Sequence, residues 1–310
     1  ERQVSLFTPK VDWTPPSSLP ELSGYSEVAI DLETYDPLLM SHGPSWAFPD
    51  TGYITGIGVA TKDFSMYFPI QHEGGGNLDK GLVLRWFTKQ MTYENDKIFH
   101  NSLYDMGWLK RYGVKVNGKI QDTMFAAPLI DENQYSYSLN NLGEKYCGET
   151  KDETLLIEAA EAYGLNPKSE MYKLPAKYVG PYGEQDAELT LKLWQVFKEL
   201  IKLENVGKIY DLETSLIPIL LDMRYKGVPV DLDVAEKVSK RLKKEEDSIL
   251  NAIHKEFGTK PDLWAAQSVA TVFDRAGLSY PRTPKTNAPS FSGDWLENHD
   301  HKLANNIVRA

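Results

Sequence analysis

Two carboxylates stand at alternate positions in an otherwise apolar stretch near the N-terminus. In EVAIDLETYD, residues 27–36, Asp31 and Glu33 interrupt a run of Val, Ala, Ile and Leu. Alternate side chains of a strand project from one face, so the two charges would lie side by side. Burying such a pair is costly unless protons or cations neutralise it, and Mg²⁺ and Mn²⁺ prefer oxygen ligands. The stretch alone also fits a strand that ends at Ile30 and an acidic, solvated turn before Pro37.

Two further stretches place an acid four residues after a polar partner. HNSLYDMGWL holds Asn101 and Asp105, and GPYGEQDAELTLKLW holds Tyr182 and Asp186 near a predicted helix start. Residues four apart share one face of a helix. Each motif alone is weak evidence. Their order and matching secondary structure together predict one site with four carboxylates and a phenol.

The intervening sequence must supply the strands and helices that position these motifs. YITGIGVAT and FSMYFPI are predicted strands, and KIFH and the start of KIQDTMFAAPLI are shorter ones. Helical spacing marks LDKGLVLRWFTKQM, SLYDMGWLKRYG and residues 138–147, 152–164 and 182–203. Three hairpin-like strands followed by alternating strands and helices predict an α/β fold with a mixed sheet flanked by helices.

The length of 310 residues predicts more than one domain. Residues 1–25 are predicted as an extended, proline-containing lead-in, 26–203 as the α/β domain and 204–310 as a second, helical unit. The second unit has an amphipathic helix ending at Gly227 and another with a basic face, for which a solvated surface is favoured over phosphate contact. The apolar stripe of that second helix is Val234, Val238, Leu242, Ile249 and Ile253.

Composition narrows the class of protein. With 41% hydrophobic and 25% charged residues the chain is typical of a water-soluble globular protein, and its apolar runs are too short to span a bilayer. The N-terminus lacks a secretory pattern and Cys147 is a lone cysteine, so a cytoplasmic location is expected. The net charge of −10 argues weakly against a nucleic-acid partner, but bound divalent cations would offset part of it.

The three motifs resemble those of the DEDD 3′-5′ exonucleases that carry Tyr in the third motif. AIDLETYDP, FHNSLYDMGWL, QDTMFAAPLIDE, YSLNNLGEKY and YGEQDAELTLKLW are similar, in order, to the proofreading domain of family A DNA polymerases, nearest to bacteriophage relatives of bacterial DNA polymerase I. LETSLIPILLDMRYKGVPVD and the segment from Ala266 to Glu297 resemble the start of the polymerase thumb. The resemblance implies a ribonuclease H-like fold followed by thumb helices.

The resemblance also implies roles for named residues. Two divalent metal ions, Mg²⁺ or Mn²⁺, would be held by Asp31, Glu33, Asp105 and Asp186. Glu33 and Tyr182 would orient the attacking water. Leu32 and Thr34 would contact the terminal nucleotide of a DNA 3′ end, and Asn101 would either contact substrate or cap a helix, which is the favoured interpretation.

Several other polar residues are not assigned to the metal set. Asp36 precedes a proline in a turn, and Asp122 is predicted to cap the helix that starts at Thr123. His100 is predicted to pack at a strand end. His299 and His301 in NHDHK are predicted to lie in an exposed loop rather than to form a metal pair.

The leading hypothesis is a proofreading exonuclease that releases 5′-mononucleotides from DNA. The polymerase's own aspartates lie beyond the thumb in this family, so this chain alone is not expected to polymerise, and the remainder of a polymerase is an expected partner besides primer-template DNA. A ribonuclease D-like exoribonuclease shares the acids and the tyrosine. A noncatalytic DNA-binding or assembly module with structural acids is the alternative from a different class.

Overall fold

The computed structural model describes residues 8–310, so the first seven residues of the predicted lead-in lie outside the described part. The chain divides into two compact units, one ending at Gly227 and one spanning Val228–Ala310. From residue 8 to residue 26 there is neither helix nor strand, as the prolines predict. This segment is nonetheless anchored, because the Trp13 indole donates to Glu184 (2.9 Å) and the Trp86 indole donates to the carbonyl of Pro20 (2.7 Å).

The first unit is built on a five-stranded mixed sheet. Its spatial order is β3-β2-β1-β4-β5, with β1 antiparallel to β2 and parallel to β4. The hairpin-like pairs come first in the chain and the parallel pairs follow, as predicted. The strands are β1 (Glu27–Tyr35), β2 (Tyr53–Ala60), β3 (Ser65–Pro69), β4 (Asp96–Phe99) and β5 (Ile120–Asp122).

Helices cover this sheet, and three of them, α1, α3 and α4, start at a residue whose side chain caps the helix. Asp79, Asp122 and Ser138 each accept hydrogen bonds from backbone N–H groups in the first turn of the helix that follows. The helices of this unit are α1 (Lys80–Met91), α2 (Ser102–Arg111), α3 (Thr123–Ile130), α4 (Leu139–Cys147), α5 (Thr154–Tyr163), α6 (Ala176–Leu203) and α7 (Gly207–Lys226).

Helix α6 begins earlier than the sequence predicts. The predicted start at Tyr182 is wrong, since the helix begins at Ala176 and runs through Pro181. Gly180 and Gly183, which suggest a break, serve packing instead: a Cβ would lie 2.2 Å from the Trp13 ring in the first case and 2.4 Å from the Tyr67 ring in the second. Tertiary contact thus stabilises a helix through residues of poor helix propensity.

Helix α7 packs within the first unit rather than the second. It contacts α2, α3 and β5. The Tyr210 hydroxyl accepts from the N–H of Asp122 (2.8 Å), and the Tyr225 ring stacks on Trp46 with centroids 4.9 Å apart. The border between compact units therefore lies at Gly227, whereas the sequence places a domain border at residue 204, which stays a prediction for the functional domains.

The second unit is helical, as predicted. Phe273 lies at the centre of a core that also holds Leu250, Ile253 and Leu303. Of the predicted stripe on α8, only the C-terminal part enters this core, because Val234 and Leu242 are half exposed. The helices are α8 (Leu232–Phe257), α9 (Ala266–Arg275), α10 (Gly293–Glu297) and α11 (Lys302–Arg309).

Candidate active site

The acids of the first and third motifs meet at one point. Asp31 and Glu33 project from β1, and Asp186 projects from α6. One carboxylate oxygen from each of the three lies within 4.8 Å of the others. Glu33 and Asp186 are buried, so the alternative in which the acids form a solvated turn is wrong.

Small residues allow α6 to approach the sheet closely enough for this meeting. Asp31 and Glu33 pair across the sheet with Gly58 and Gly56 of β2. Cross-strand partners share a face, so these glycines lie beside the acids. A Cβ on Gly58 would lie 2.6 Å from the carbonyl oxygen of Gly183, which leaves no room for a larger residue under the helix. The short sequence TGIG therefore sets the distance between the strand and Asp186.

The second motif is attached to the first through the backbone. The N–H of Leu32 donates to Oδ1 of Asp105 over 3.1 Å, and Asp105 is buried. Leu32, between the two acids of β1, thus fixes the carboxylate of α2 beside them. Asp105 is not one of the three acids whose oxygens lie within 4.8 Å of one another, but burial and then the charge of Asp31 raise its pKa, so it lies near them. Tyr182 lies one turn before Asp186 on α6.

Lys151 also enters the cluster. Its ammonium donates to Oδ2 of Asp186 (2.6 Å) and to the hydroxyl of Tyr182 (2.9 Å), and its side chain is only 12% exposed. Lys151 is not among the residues predicted from the sequence. It lies in the polar segment between α4 and α5, which has no periodicity or motif that could have marked it.

Burial and mutual repulsion disfavour the charged forms of these acids. Burial, and next the charge of Asp186, raise the pKa of Asp31 to about 7. The pKa of Glu33 and that of Asp105 are raised well above their ordinary values by burial and then by Asp31. Burial also raises the pKa of Asp186, although Lys151 partly offsets the effect. The cluster is thus short of positive charge.

The phenol of Tyr182 is not suited to act as a base. Burial, followed by the charges of Asp186 and Glu33, raises its pKa far above the ordinary value, so it stays protonated. Because the Lys151 ammonium can only donate, the Tyr182 oxygen accepts in that contact. The phenol hydrogen is therefore not used in the contact with Lys151, and Tyr182 also partly offsets the effect of burial on the pKa of Asp186.

The three predicted substrate contacts differ in their surroundings. Thr34 shares a hydrogen bond with the Tyr104 hydroxyl (2.6 Å), which in turn donates to Asp36 (2.9 Å). Leu32 is buried and contributes its backbone to Asp105 as described. Asn101 precedes α2 in a left-handed conformation with φ of 72°, and its side chain is exposed and makes no capping hydrogen bond, so the cap interpretation is wrong for the side chain.

Asp122 does the capping instead, for two helices. Its carboxylate accepts from the N–H groups of Asn101 and Ser102 at the start of α2, and of Met124 and Phe125 in α3. This confirms the predicted cap at Thr123 and accounts for Asp122 outside the acidic cluster.

The remaining candidates also have structural partners. Asp36 accepts from the backbone N–H of Ser45 (2.9 Å). His100 is partly buried and shares a hydrogen bond with Thr123 (2.8 Å), and burial lowers its pKa to about 4, as suits a packed strand end. His301 caps α11 through Nδ1, and His299 packs edge-on against Trp295. Both lie in a loop, as predicted, but they are partly buried rather than exposed.

Comparison with known proteins is consistent with this geometry. A family model described as 3′-5′ exonuclease, of the DNA polymerase A type, matches residues 17–202. The chain belongs to this exonuclease family. A DNA-directed DNA polymerase of Pseudomonas phage M6 is 34% identical over 99% of this chain and 48% of its own length. DNA polymerase I of Rhizobium leguminosarum is 26% identical over 87% of this chain and 28% of its own length.

A solved structure supports the fold over most of the chain. The polymerase domain of Pol1 from M. smegmatis, in complex with DNA primer-template and dNTP, matches with a TM-score of 0.64 at 17% identity, over 93% of this chain and 45% of that one. At this identity the match shows the fold alone. The exonuclease chain spans about half the length of the phage polymerase that it matches. None of the helices within residues 8–310 is long and apolar enough to cross a membrane.

The acidic cluster of the exonuclease fits divalent cations. Its ligands are carboxylate oxygens, the type that Mg²⁺ and Mn²⁺ prefer, and Zn²⁺ sites more often use Cys or His. Oδ1 of Asp186 is buried and has no hydrogen-bond partner within residues 8–310. A buried carboxylate oxygen without a partner is costly, and a cation at this position would remove that cost.

Proposed function

We propose that this chain hydrolyses the 3′-terminal phosphodiester of DNA and releases 5′-mononucleotides, as the proofreading part of a DNA polymerase. The observation that carries the proposal is the convergence of Asp31, Glu33 and Asp186 within 4.8 Å, with Asp105 held beside them by Leu32. Primer-template DNA and the remainder of a polymerase are the partners that go with this function, and a cytoplasmic location goes with it too.

The acids are proposed to hold two divalent cations, Mg²⁺ or Mn²⁺. By the family resemblance, Asp31 would serve both cations, Glu33 and Asp186 would hold one of them, and Asp105 would hold the other. Bound there, the cations would neutralise the phosphate charge, acidify the attacking water and stabilise the leaving oxygen. The raised pKa values of the acids support this assignment, because they report a site that lacks positive charge.

The remaining residues orient the reactants. The Tyr182 phenol stays protonated, so we assign it to donating a hydrogen bond rather than to removing a proton. Glu33 lies in the same cluster and would accept from the attacking water. Thr34, held by Tyr104, and the exposed Asn101 are proposed to contact the terminal nucleotide.

A primer-degradation assay tests the proposal. A 5′-labelled DNA primer with a mismatched 3′ end is incubated with the chain in Mg²⁺ or in EDTA. A Mg²⁺-dependent ladder of shortened primers is expected from wild type and from Asp63→Asn, which changes an exposed acid in the turn between β2 and β3. Asp31→Asn should give none while remaining folded by circular dichroism.

Parallel reactions separate the alternatives. An all-RNA strand degraded faster than DNA would favour the ribonuclease D-like activity. An intact primer with a folded protein that still binds DNA would favour the noncatalytic module. Addition of dNTPs tests the prediction that this chain alone does not extend the primer.

A further inference from the structure

The contact between Lys151 and Asp186 places a fixed positive charge among the proposed metal ligands. The ammonium lies 2.6 Å from Oδ2 of Asp186, and the same lysine is 4.6 Å from the centroid of the Tyr182 ring. Lys151 thus places an ammonium against the acidic cluster, and its charge offsets part of the mutual repulsion of Asp31, Glu33 and Asp186. This contact bears on how metal enters the site.

The backbone around Lys151 is held on both sides. Its own N–H donates to Oδ1 of Asn140 at the start of α4 (2.9 Å), and the N–H of Asp152 donates to Oε1 of Gln185 (2.9 Å). Gln185 is the immediate neighbour of Asp186 on α6. These two hydrogen bonds hold the backbone that carries Lys151, so the side chain starts from a fixed position beside the acidic cluster.

A divalent cation and this ammonium would compete for one carboxylate. Oδ1 of Asp186, the oxygen without a partner within residues 8–310, belongs to the same group that Lys151 contacts through Oδ2. A cation on Oδ1 would lie a few ångström from the ammonium, where like charges repel strongly because little water screens them.

The ammonium has a place to go without movement of the backbone. Lys151 and Tyr182 both line a cavity of about 490 Å³, which is bordered on its other sides by Ser138, Asn141 and Lys168 among others. Rotation of the flexible lysine stem into this space would release Asp186 and keep the charge next to Tyr182.

We propose that Lys151 is the internal counter-cation of the acidic cluster, which occupies Asp186 in the metal-free protein and leaves it when a divalent cation binds. The proposal rests on the proposed function only in taking Asp186 as a metal ligand. Lys151 is a positioning residue in this scheme, since it acts through the carboxylate and the phenol that it holds.

Titration of the DNA-free chain with Mn²⁺, followed by calorimetry, tests the competition directly. Lys151→Met should bind the first Mn²⁺ about tenfold more tightly than wild type, because the competing charge is gone. Lys151→Arg keeps the charge and should restore near-wild-type affinity. Lys192→Met is the matched control, because Lys192 also forms salt bridges, with Glu149 and Glu188, but more exposed to solvent and away from the acidic cluster. Equal or weaker Mn²⁺ binding by Lys151→Met would overturn the proposal.

A measurement on the wild-type chain tests the same proposal without depending on whether the Lys151 variants fold. Reductive methylation followed by peptide mass spectrometry reports how accessible each lysine amine is. Saturating Mg²⁺ should increase the rate at Lys151 several-fold and leave Lys192 unchanged. An unchanged rate at Lys151 with metal bound would contradict release of Asp186.

The two proposals fail in different ways. DNA cleavage by the wild type together with unchanged Mn²⁺ affinity in Lys151→Met would overturn only the role of Lys151. Tighter Mn²⁺ binding by that variant, with no cleavage of DNA by the wild type, would leave the role of Lys151 in place and overturn the proposed function.

Discussion

The backbone N–H of Leu32 donates to Oδ1 of Asp105, so the strand that carries Asp31 and Glu33 also holds the acid of the second motif. Asp105→Asn keeps an oxygen that can accept this bond, whereas Asp105→Ala leaves a buried N–H without a partner. We expect both variants to lose at least about 100-fold in cleavage rate, because both remove a proposed metal ligand. Urea unfolding should show Asp105→Ala to be about 1–3 kcal/mol less stable than Asp105→Asn. Equal stability of the two would mean that the Leu32 contact contributes nothing.

Removal of the Tyr182 hydroxyl tests its role as a donor. Tyr182→Phe should remain folded and lower kcat by about 10-fold to 100-fold, because the ring still packs while the positioned hydrogen bond is lost. Tyr178→Phe, one turn earlier on α6, is the control, since that buried ring packs against Tyr163. Single-turnover degradation of a labelled primer gives the rates. A kcat for Tyr182→Phe equal to that of the control would exclude the phenol from the reaction.

The close approach of α6 to the sheet predicts that Gly58 is necessary for metal binding. Gly58→Ala would place a Cβ 2.6 Å from the carbonyl of Gly183 and push Asp186 away from Asp31. We expect a loss of about 1–3 kcal/mol in the free energy of unfolding and weaker Mn²⁺ binding by the protein that remains folded. Gly24→Ala has open space around the new methyl group and should change neither quantity. Wild-type Mn²⁺ affinity in folded Gly58→Ala would show that this contact does not set the site.

The double cap at Asp122 predicts a loss of stability that is separate from chemistry. Asp122→Ala removes an acceptor shared by four backbone N–H groups and should lower the free energy of unfolding by about 3 kcal/mol. Asp122→Asn keeps one oxygen and should lose less. Below the unfolding temperature, the cleavage rate per folded Asp122→Asn molecule should stay near that of wild type. A rate as low as that of Asp31→Asn would instead place Asp122 among the reacting groups.

The raised pKa of Asp31 predicts how the metal-free protein responds to pH. The folded-state pKa of about 7 lies above the ordinary value of 3.8, so the folded chain binds more protons than the unfolded chain between these values. The stabilisation is complete below about pH 4 and is lost as pH rises through 7. In EDTA, the free energy of unfolding should thus fall by about 2 kcal/mol between pH 5.5 and pH 8. The raised pKa values of Glu33, Asp105 and Asp186 act in the same direction.

Urea unfolding of the wild type and of Asp31→Asn across this range measures the effect. The difference in stability between the two should change with pH, in favour of the variant at pH 8. Lys151 faces the same acids and stays charged throughout, because burial alone would lower its pKa but Asp186, Asp31 and Glu33 raise it. Saturating Mg²⁺ should reverse the trend by stabilising the charged acids. A difference that does not vary with pH would refute the shifted pKa.

Local patterns predicted the elements better than their limits. The cap at Asp122 and the alternation around Asp31 are signals within a few residues, so they are readable from the chain. The start of α6 could not be predicted from the sequence, because Gly180, Pro181 and Gly183 have poor helix propensity. Only the contacts with Trp13 and Tyr67, distant in sequence, explain why small residues belong there.

The sequence by itself determined which residues are the acids and the phenol, and on which type of element each lies, because strand and helix periodicity are local properties of the chain. Tertiary structure alone decided how close they come. That distance depends on glycines of β2 that face α6, and on the backbone of Leu32 that meets Asp105. Tertiary structure alone also brought Lys151 to Asp186. An irregular segment has no periodicity from which the direction of its side chains could be predicted. Here contacts with α4 and α6 fix the direction of Lys151.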